Sequence, residues 1–510
     1  MELERETVLE WYQKNHSEID APCGGRGECG RCKIRFWSDA PNASEKEKAR
    51  LSVTELEQGI RLACETERNG REDFTLLGDI FADGIRVDLE TREMSESPHN
   101  FKMEPDAKFG IALDIGTTTL AMRLVRLDKK ESRFFTLTAM NHQRAYGADV
   151  ISRIQAANGG KLQELQKCIQ QDVFAMLVKT VAEAGISPKQ VEKIAIAGNT
   201  TMCHLLLGYS CEGLGQAPFK PENIELMKIS AQELFDEIEG SREEEEFLSM
   251  LETEVVILPG ISAFVGADIV AGMYYCDMDL QKEKQMLLDV GTNGEMVIGN
   301  SAGFIVTSTA AGPVFEGGKI SCGMPAVRGA IAHFRNGTCE VIGDVKPQGI
   351  CGSGLVDLVA HMLEEAIIDE NGTLGDAYFT EGYPIGMTED SCNLRLTQTD
   401  IRELQMGKAA IRAGIEVLME KYRPEKIYLA GGFGAAIDAD SAAKIELFPK
   451  ELLHSIKPVG SAALEGTHKF LLDKYGEERV RDIVQKSQEI LLAKEVKFEE
   501  NYIHFMQFLI

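Results

Sequence analysis

The chain is short of positive charge. Its 510 residues carry 54 Lys and Arg against 81 Asp and Glu, a formal charge of −27. A surface of that sign repels phosphate backbones and anionic lipid, which excludes nucleic acid or a membrane surface as the main partner. The chain also lacks an uninterrupted apolar run. The most apolar stretch, Val255 to Cys276, is broken by Pro259, Ser262 and Asp268, and reads as a buried strand, turn and helix, not a membrane span. The start, MELERETVLEWYQKNH, has no basic-then-apolar pattern, so no signal peptide is expected and the chain is read as cytoplasmic. In that reducing compartment its 12 cysteines are expected to stay free of disulfides. Eight of them, at 168, 203, 211, 276, 322, 339, 351 and 392, have no mutual ligand spacing and read as small core residues.

The other four are patterned. Cys23, Cys29 and Cys32 fall in DAPCGGRGECGRCKIRF as C-x5-C-x2-C, and Cys64 follows in RLACET after a gap of 31 residues. Zinc sites usually pair two short hooks, and here there is one hook with a distal cysteine. The spacing is close to that of a ferredoxin loop wrapped around a 2Fe–2S cluster and closed from a distance. Gly24, Gly25, Gly27 and Gly30 let the backbone turn tightly and aim amides at cluster sulfurs. The segment resembles the 2Fe–2S ferredoxin domain. Only 22 residues precede Cys23, so the opening β-hairpin of that fold is expected to be shortened. Arg26 and Arg31, beside the ligands, read as solvent-exposed, and Trp37 as packing of the module.

The length predicts three or four domain-sized units. Residues 1–84 read as the cysteine module, with LSVTELEQGIRLACET forming a short helix that leads to Cys64. Residues 85–107 lose hydrophobic period and gain Ser, Pro and charge, which marks a linker. Its 23 residues reach at most roughly 75 Å extended and about 26 Å when flexible, so the module is expected to swing. Beyond it an internal repeat predicts two α/β lobes facing one another, 108–285 and 286–510. GIALDIGTTTLAMRLV around Asp114 matches MLLDVGTNGEMVIG around Asp289, and KIAIAGNTTM at 193–202 matches KIYLAGGFGA at 426–435. Stretches 161–185 and 354–369 have the apolar spacing of helices. The acidic stretch 221–254, with REEEE, reads as a solvated insertion, and the tail EVKFEENYIHFMQFLI as a final strand pair.

The repeated Asp-x-Gly-Thr turns have a chemical logic. Gly116 and Gly291 allow close approach to phosphate oxygens, and Thr117, Thr118, Thr292 and Asn293 offer donors. Asp114 and Asp289 are candidates to hold Mg2+ and orient an attacking water. Gly431, Gly432 and Gly434 bring backbone where adenosine could lie, with a helix-entry turn as the plainer reading. This layout resembles the ASKHA superfamily, which includes acetate and sugar kinases, heat-shock chaperones and actin. The resemblance makes the two turns its phosphate motifs, AGNTT at 197–201 (Gly198, Asn199, Thr200) and GICGSGLVD at 349–357 its connecting motifs, and AGGFG its adenosine motif. ATP and a cleft that opens and closes are implied with it.

Taken whole, the chain resembles the reductive activators of corrinoid proteins. NHQRAYGADVISRI (141–154), LPGISAFVGADIVAG (258–272) and STAAGPVFEGGKISCGMPA (308–326) extend the match over nearly its full length. The departures are the shortened start and a linker too short for the extra linker domain of longer members. The resemblance implies an α/β chain with a β-grasp-like 2Fe–2S ferredoxin domain fused to a duplicated, two-lobed ASKHA ATPase. It implies ATP-coupled reduction of cobalt(II) to cobalt(I) in a corrinoid methyl-transfer protein, with an upstream low-potential electron donor. Dimerisation is left open. The rival readings are a small-molecule kinase, with Asp268 as general base or merely a helix cap, and a redox-sensing ATPase switch. Radical-dehydratase activators carry their cluster cysteines within the ASKHA fold and fit less well. His142 and His204 read as hydrogen-bonded core or surface residues.

Overall fold

The structure, a computed structural model, describes residues 6–15, 19, 21, 23–36, 40–68, 74–76, 106–128, 134–236, 238, 250–335, 337–387 and 393–508. Most of the linker 85–107, Trp37, Cys392 and the REEEE run lie outside the described residues. The chain divides into two compact units. The first takes in the cysteine module, the chain through Ala267 and the short stretch Phe470–Leu472; the second runs from Asp268 to Lys469 and from Asp473 onward. No described helix is long and apolar enough to cross a membrane.

In the first unit the first described element of the cysteine module is a helix, Val8–Asn15, in place of the shortened hairpin that was expected. Three antiparallel strands follow, β1 (Lys33–Phe36), β2 (Ile60–Leu62) and β3 (Phe74–Leu76), in the order β2-β1-β3. The helix Val53–Glu57 is capped by Ser52, which accepts from the Glu55 amide while the Glu55 carboxylate accepts from the Ser52 amide. Ile34, Leu62, Leu9 and Leu51 form a small core of their own.

The larger sheet of this unit contains β4 (Phe109–Ile115), β5 (Thr119–Arg126), β6 (Phe134–Met140), β7 (Val191–Gly198), β8 (Met227–Ser230) and β9 (Glu254–Ile257), ordered β6-β5-β4-β7-β9-β8. Strands β4, β7 and β9 are parallel; being covered on both faces, they are nearly continuously apolar. Helix Leu162–Ala184 lays Leu165, Ile169, Val173, Met176 and Val181 into that core and stops at Gly185, which is left-handed. The acidic stretch expected to be a solvated insertion is in part a sheet edge. Met227–Ser230 pairs antiparallel with β9, and Ser230 caps the next helix, Ala231–Phe235, because Met227 and Ile229 have apolar surface to cover.

The second unit repeats the plan. Strands β10 (Gln285–Val290), β11 (Gly294–Asn300) and β12 (Gly303–Thr309) form the hairpin and its edge. Small sheets follow, β14-β13-β15 (β13 Ala330–Arg335, β14 Thr338–Val341, β15 Gly349–Ile350) and β16-β17 (β16 Tyr383–Met387, β17 Asn393–Leu396). Then β18 (Lys426–Ala430), β19 (Ile456–Gly460) and β20 (Ser487–Glu489) complete the order β19-β18-β10-β11-β12-β20. Reading β12-β11-β10-β18-β19 against β6-β5-β4-β7-β9 gives the same order and the same mixture of parallel and antiparallel pairs, so the repeat is a repeat of topology.

The tail is a correction. It forms a helix, Val496–His504, not a strand pair. Its β-prone aromatics suggested strands, but the chain beyond it packs on helix Gln398–Lys421: the Arg412 guanidinium lies 4.4 Å from the Phe505 ring, and Lys408 Nζ is 4.7 Å from the Phe508 ring and donates to Gln507 O at 2.6 Å. Lys408 is fully buried, and that burial pushes its ammonium down to about 7. A base held lower in the folded than in the unfolded state costs stability below pH 7, where folding must bury the charge. That cost fades as pH rises toward the ordinary lysine value. Lys408→Met is therefore expected to stabilise the protein most near pH 6, with an advantage that shrinks by roughly a few kcal/mol by pH 10. Denaturant curves of parent and variant that stay parallel across that range would refute it.

Candidate functional site

In the first unit the strand β4 delivers Asp114 to its end, and the turn Gly116–Thr118 connects to β5, closed by the Gly116 N–H donating to Thr119 O at 3.0 Å. The parallel partner β7 ends alongside, with Ala197 opposite Asp114 and Gly198 opposite Ile115. There Asn199 begins helix Thr200–Leu207. Its Oδ1 accepts from the Met202 amide at 2.9 Å, and its Nδ2 donates to Thr117 Oγ1 at 3.0 Å. Thr200 Oγ1 donates to Ser262 O at 2.6 Å. The structure thus brings Asp114, Gly116, Thr117, Thr118, Gly198, Asn199 and Thr200 together, all but Gly198 and Thr200 with some solvent access. His204 has the plain role expected of it: it is buried, its ring bonded to Thr200 O and to the Glu222 amide. His142 pairs with Asp172 at 2.6 Å.

The second unit repeats the arrangement within itself. Asp289 ends β10, with Ala430 of β18 beside it in parallel register. The turn at Gly291–Asn293 closes with Gly291 N–H on Asn293 O at 2.8 Å. Gly431 follows in the left-handed region, φ +82°, and a Cβ there would stand 2.8 Å from Asp289 Oδ1. Only glycine lets the chain pass that carboxylate. Gly431, Gly432 and Gly434 then start the helix Gly431–Ala436, so the helix-entry turn is real and sits against Asp289.

Around Asp289 stand three further carboxylates, of which the sequence had named only Asp268. Glu295 is its direct neighbour across the β10–β11 ladder. Glu316 accepts from Thr292 Oγ1 at 2.9 Å. Asp268, in the first turn of helix Ala267–Tyr275, is the fourth. Its carboxylate accepts from the Ile269 amide at 2.8 Å, a helix-end bond that fits the plainer of its two expected roles. Burial, then the charges of Asp268 and Glu316, pushes Asp289 up to about 7. Burial alone pushes Asp268 up to about 6, against the pull of its backbone bonds. Glu295 is held well above the usual carboxylate range by burial and by Asp268 and Asp289. Asp289, Asp268 and Glu295 are half-buried acids that resist ionising, a strain that a divalent cation held by oxygen donors would relieve. Glu295 could have been noticed as the one charge in an otherwise apolar strand. Glu316 carries no local signal.

The cysteine loop is organised in pairs. Cys23 is hydrogen-bonded to Cys29, and the sulfurs of Cys32 and Cys64 are 3.4 Å apart. The bond from Cys29, opposed by burial, pulls Cys23 down to about 4, with help from the amides of Cys29, Glu28 and Arg26; Cys29 is pushed up in turn. Cys32 is lowered and Cys64 raised through their own shared bond. Among the described residues no three Cys, His, Asp or Glu side chains converge on one point suited to a single metal ion. Two pairs, with amides aimed at sulfur, suit two irons that take two thiolates each and do not suit one tetrahedral zinc. Arg26 and Arg31 are exposed, as expected.

Two family models cover the chain beyond the cysteine module. Residues 109–281 match the model described as "RACo middle region", and residues 283–509 match "C-terminal domain of RACo the ASKHA domain". The class is therefore an α/β protein with an ASKHA-type C-terminal domain. Over 438 residues the chain is 32% identical to the corrinoid activation enzyme RamQ of Eubacterium limosum, covering 80% of this chain and 71% of that protein. The chain belongs to the family of reductive activators of corrinoid proteins. Seventy-eight residues are 33% identical to 2Fe-2S ferredoxin-5 of Aquifex aeolicus, 14% of this chain and 81% of that one. A solved structure titled "Reductive activator for corrinoid,iron-sulfur protein" superposes with a TM-score of 0.69 over 98% of this chain and 95% of its own, at 24% identity, a likeness of fold.

Proposed function

We propose that this protein is an ATP-dependent reductive activator: it passes one electron from a 2Fe–2S cluster to the cobalt(II) of a corrinoid methyl-transfer protein, regenerating cobalt(I), while ATP and water become ADP and phosphate. The observation that carries this reading is the 32% identity with a corrinoid activation enzyme across four-fifths of the chain. The cluster, when bound, supplies a one-electron carrier at about −400 mV. Cys23 with Cys29, and Cys32 with Cys64, are the proposed ligand pairs, in a β-grasp-like ferredoxin module. An upstream low-potential donor refills it. Cobalt(I) in a corrinoid is harder to reach than that potential, so the electron needs help, and ATP hydrolysis is the help available on this chain.

The chain's own residues divide that work. In one lobe the turn Gly116–Thr118 and Asn199 offer amides and hydroxyls to phosphate; in the other, Thr292 and Asn293 do the same. Asp289 would hold Mg2+, with Glu295 and Asp268 adding negative charge beside it, and Asp114 would orient the attacking water. Gly431, Gly432 and Gly434 take the adenosine. The kinase reading keeps a base in Asp268 but leaves two thiol pairs without a role.

The test follows the visible spectrum of a cobalt(II) corrinoid protein from the same genome, mixed anaerobically with this protein, reductant and Mg-ATP. A cobalt(I) band is expected only when ATP is present. No band with several corrinoid proteins and an intact cluster would overturn the reading.

A further inference from the structure

Three consecutive carbonyls, of Ala145, Tyr146 and Gly147, stand between the cysteine loop and the phosphate-type turn of the first unit. Ala145 O accepts from Gln13 Nε2 at 2.7 Å. Tyr146 O faces Gly24, the residue after Cys23, so closely that a Cβ on Gly24, which is left-handed at φ +62°, would be 2.7 Å away. Tyr146 also donates its hydroxyl to Gln13 O at 3.0 Å. The cysteine module expected to swing is thus docked on this segment through Gln13 and the cluster loop itself. Gly147 O, the third carbonyl, accepts instead from Arg153 Nε at 2.9 Å.

Arg153 leads on to the turn. It is fully buried, and a second nitrogen donates to Thr117 O at 2.5 Å; a third faces Gln143 Oε1 at 3.4 Å and Met202 Sδ at 3.1 Å. Asn141, also fully buried, braces the same turn twice: its Nδ2 donates to Gly116 O and its backbone N–H to Thr118 O, each at 2.9 Å. A buried cation spent on backbone carbonyls is a poor source of stability. It is a good source of geometry, because the guanidinium fork fixes two carbonyls at a set distance.

We propose that Arg153 is a positioning residue, and the segment Asn141–Arg153 the link through which phosphate at the Gly116–Thr118 turn and docking of the cysteine module favour one another. The proposal rests on the reading that a nucleotide binds at that turn. Both events order the same segment, so the one that comes second finds it already ordered. By reciprocity, loosening the docking must weaken the nucleotide by the factor with which the nucleotide strengthens the docking. For electron transfer the consequence is that nucleotide state governs whether the cluster loop is held on the lobe or released to a partner.

The test uses the full chain with its cluster reconstituted. Gln13→Ala combined with Tyr146→Phe removes the docking bonds without touching the turn. Calorimetric titration with Mg-ADP is expected to give an affinity about 3- to 30-fold weaker than the parent's. Hydrogen exchange of the amides at 23–32 is expected to slow when Mg-ADP is added to the parent and to stay fast in the double variant. At the buried site Arg153→Lys is expected to keep part of the affinity that Arg153→Met loses; should Arg153→Met not fold, the Gln13 and Tyr146 pair decides alone. Equal Mg-ADP affinity in parent and double variant overturns the link and leaves the function untouched. A parent that binds no Mg-ADP overturns the function reading, and the link with it.

Discussion

Asp289→Asn is expected to lower ATP hydrolysis, and with it ATP-dependent cobalt(I) formation, by about 100-fold or more, the scale of losing a charged ligand to a catalytic divalent ion. The cysteine module's visible spectrum should not change. Unfolding is a poor alternative explanation for such a loss. Asp289 is held reluctant to ionise by burial, Asp268 and Glu316, and an uncharged side chain of the same shape relieves that repulsion. The variant should therefore melt no lower than the parent without nucleotide. Glu295→Gln provides the graded comparison. Burial, Asp268 and Asp289 hold Glu295 well above the usual carboxylate range, so an amide removes a charge that the fold disfavours. Its loss of rate is expected to be smaller than that of Asp289→Asn. Full, ATP-dependent activation by the Asp289→Asn protein would sink the coupling of hydrolysis to electron transfer.

The placement of the candidate site residues was legible where it is written in short local patterns. The strand, Asp-x-Gly-Thr turn and returning strand at Asp114 and at Asp289 need only alternate residues of one hairpin, and the Ala-Gly endings at 197–198 and 430–431 need only the last turn of a strand. Those pieces fell where the topology required them, because β7 and β18 are the parallel neighbours of β4 and β10. The residues that escaped are joined by register or by tertiary approach. Glu295 lies opposite Asp289 only because the β10–β11 ladder pairs them in that frame. Arg153 reaches Thr117 across a helix start, capped by Asp149, that the 141–154 stretch contains without advertising. Local propensity also misled. The tail's Phe498, Tyr502, Ile503 and Phe505 are good strand formers, yet the helix Val496–His504 wins once Gln405, Lys408 and Arg412 are there to receive the chain that follows it. Met227–Ser230 was hidden by the acids around it, although two apolar residues in alternation were enough for an edge strand.

The second large effect concerns the thiol pairs. Cys64→Ser removes one member of the pair whose sulfurs lie 3.4 Å apart, and the hard oxygen of serine is a weak substitute for a thiolate on iron. Cluster content is expected to fall by about tenfold or more, and cobalt(I) formation to the level seen without the protein. Cys32→Ser should do the same, since Cys32 is the other member of that pair and is almost wholly buried, with no room for a replacement ligand from solvent. Hydrolysis at saturating Mg-ATP should survive in both, because the cysteine loop supplies none of the groups described around Asp114 or Asp289. The parent should carry two irons and two sulfides. One zinc per chain would mean that the four thiols converge after all, and the two-pair geometry would be wrong. If the metal is iron, the same two variants separate the two halves of the proposal: electrons stop while ATP is still consumed. Asp289→Asn leaves the opposite residue, a chain that can be reduced but cannot lift its electron onto cobalt.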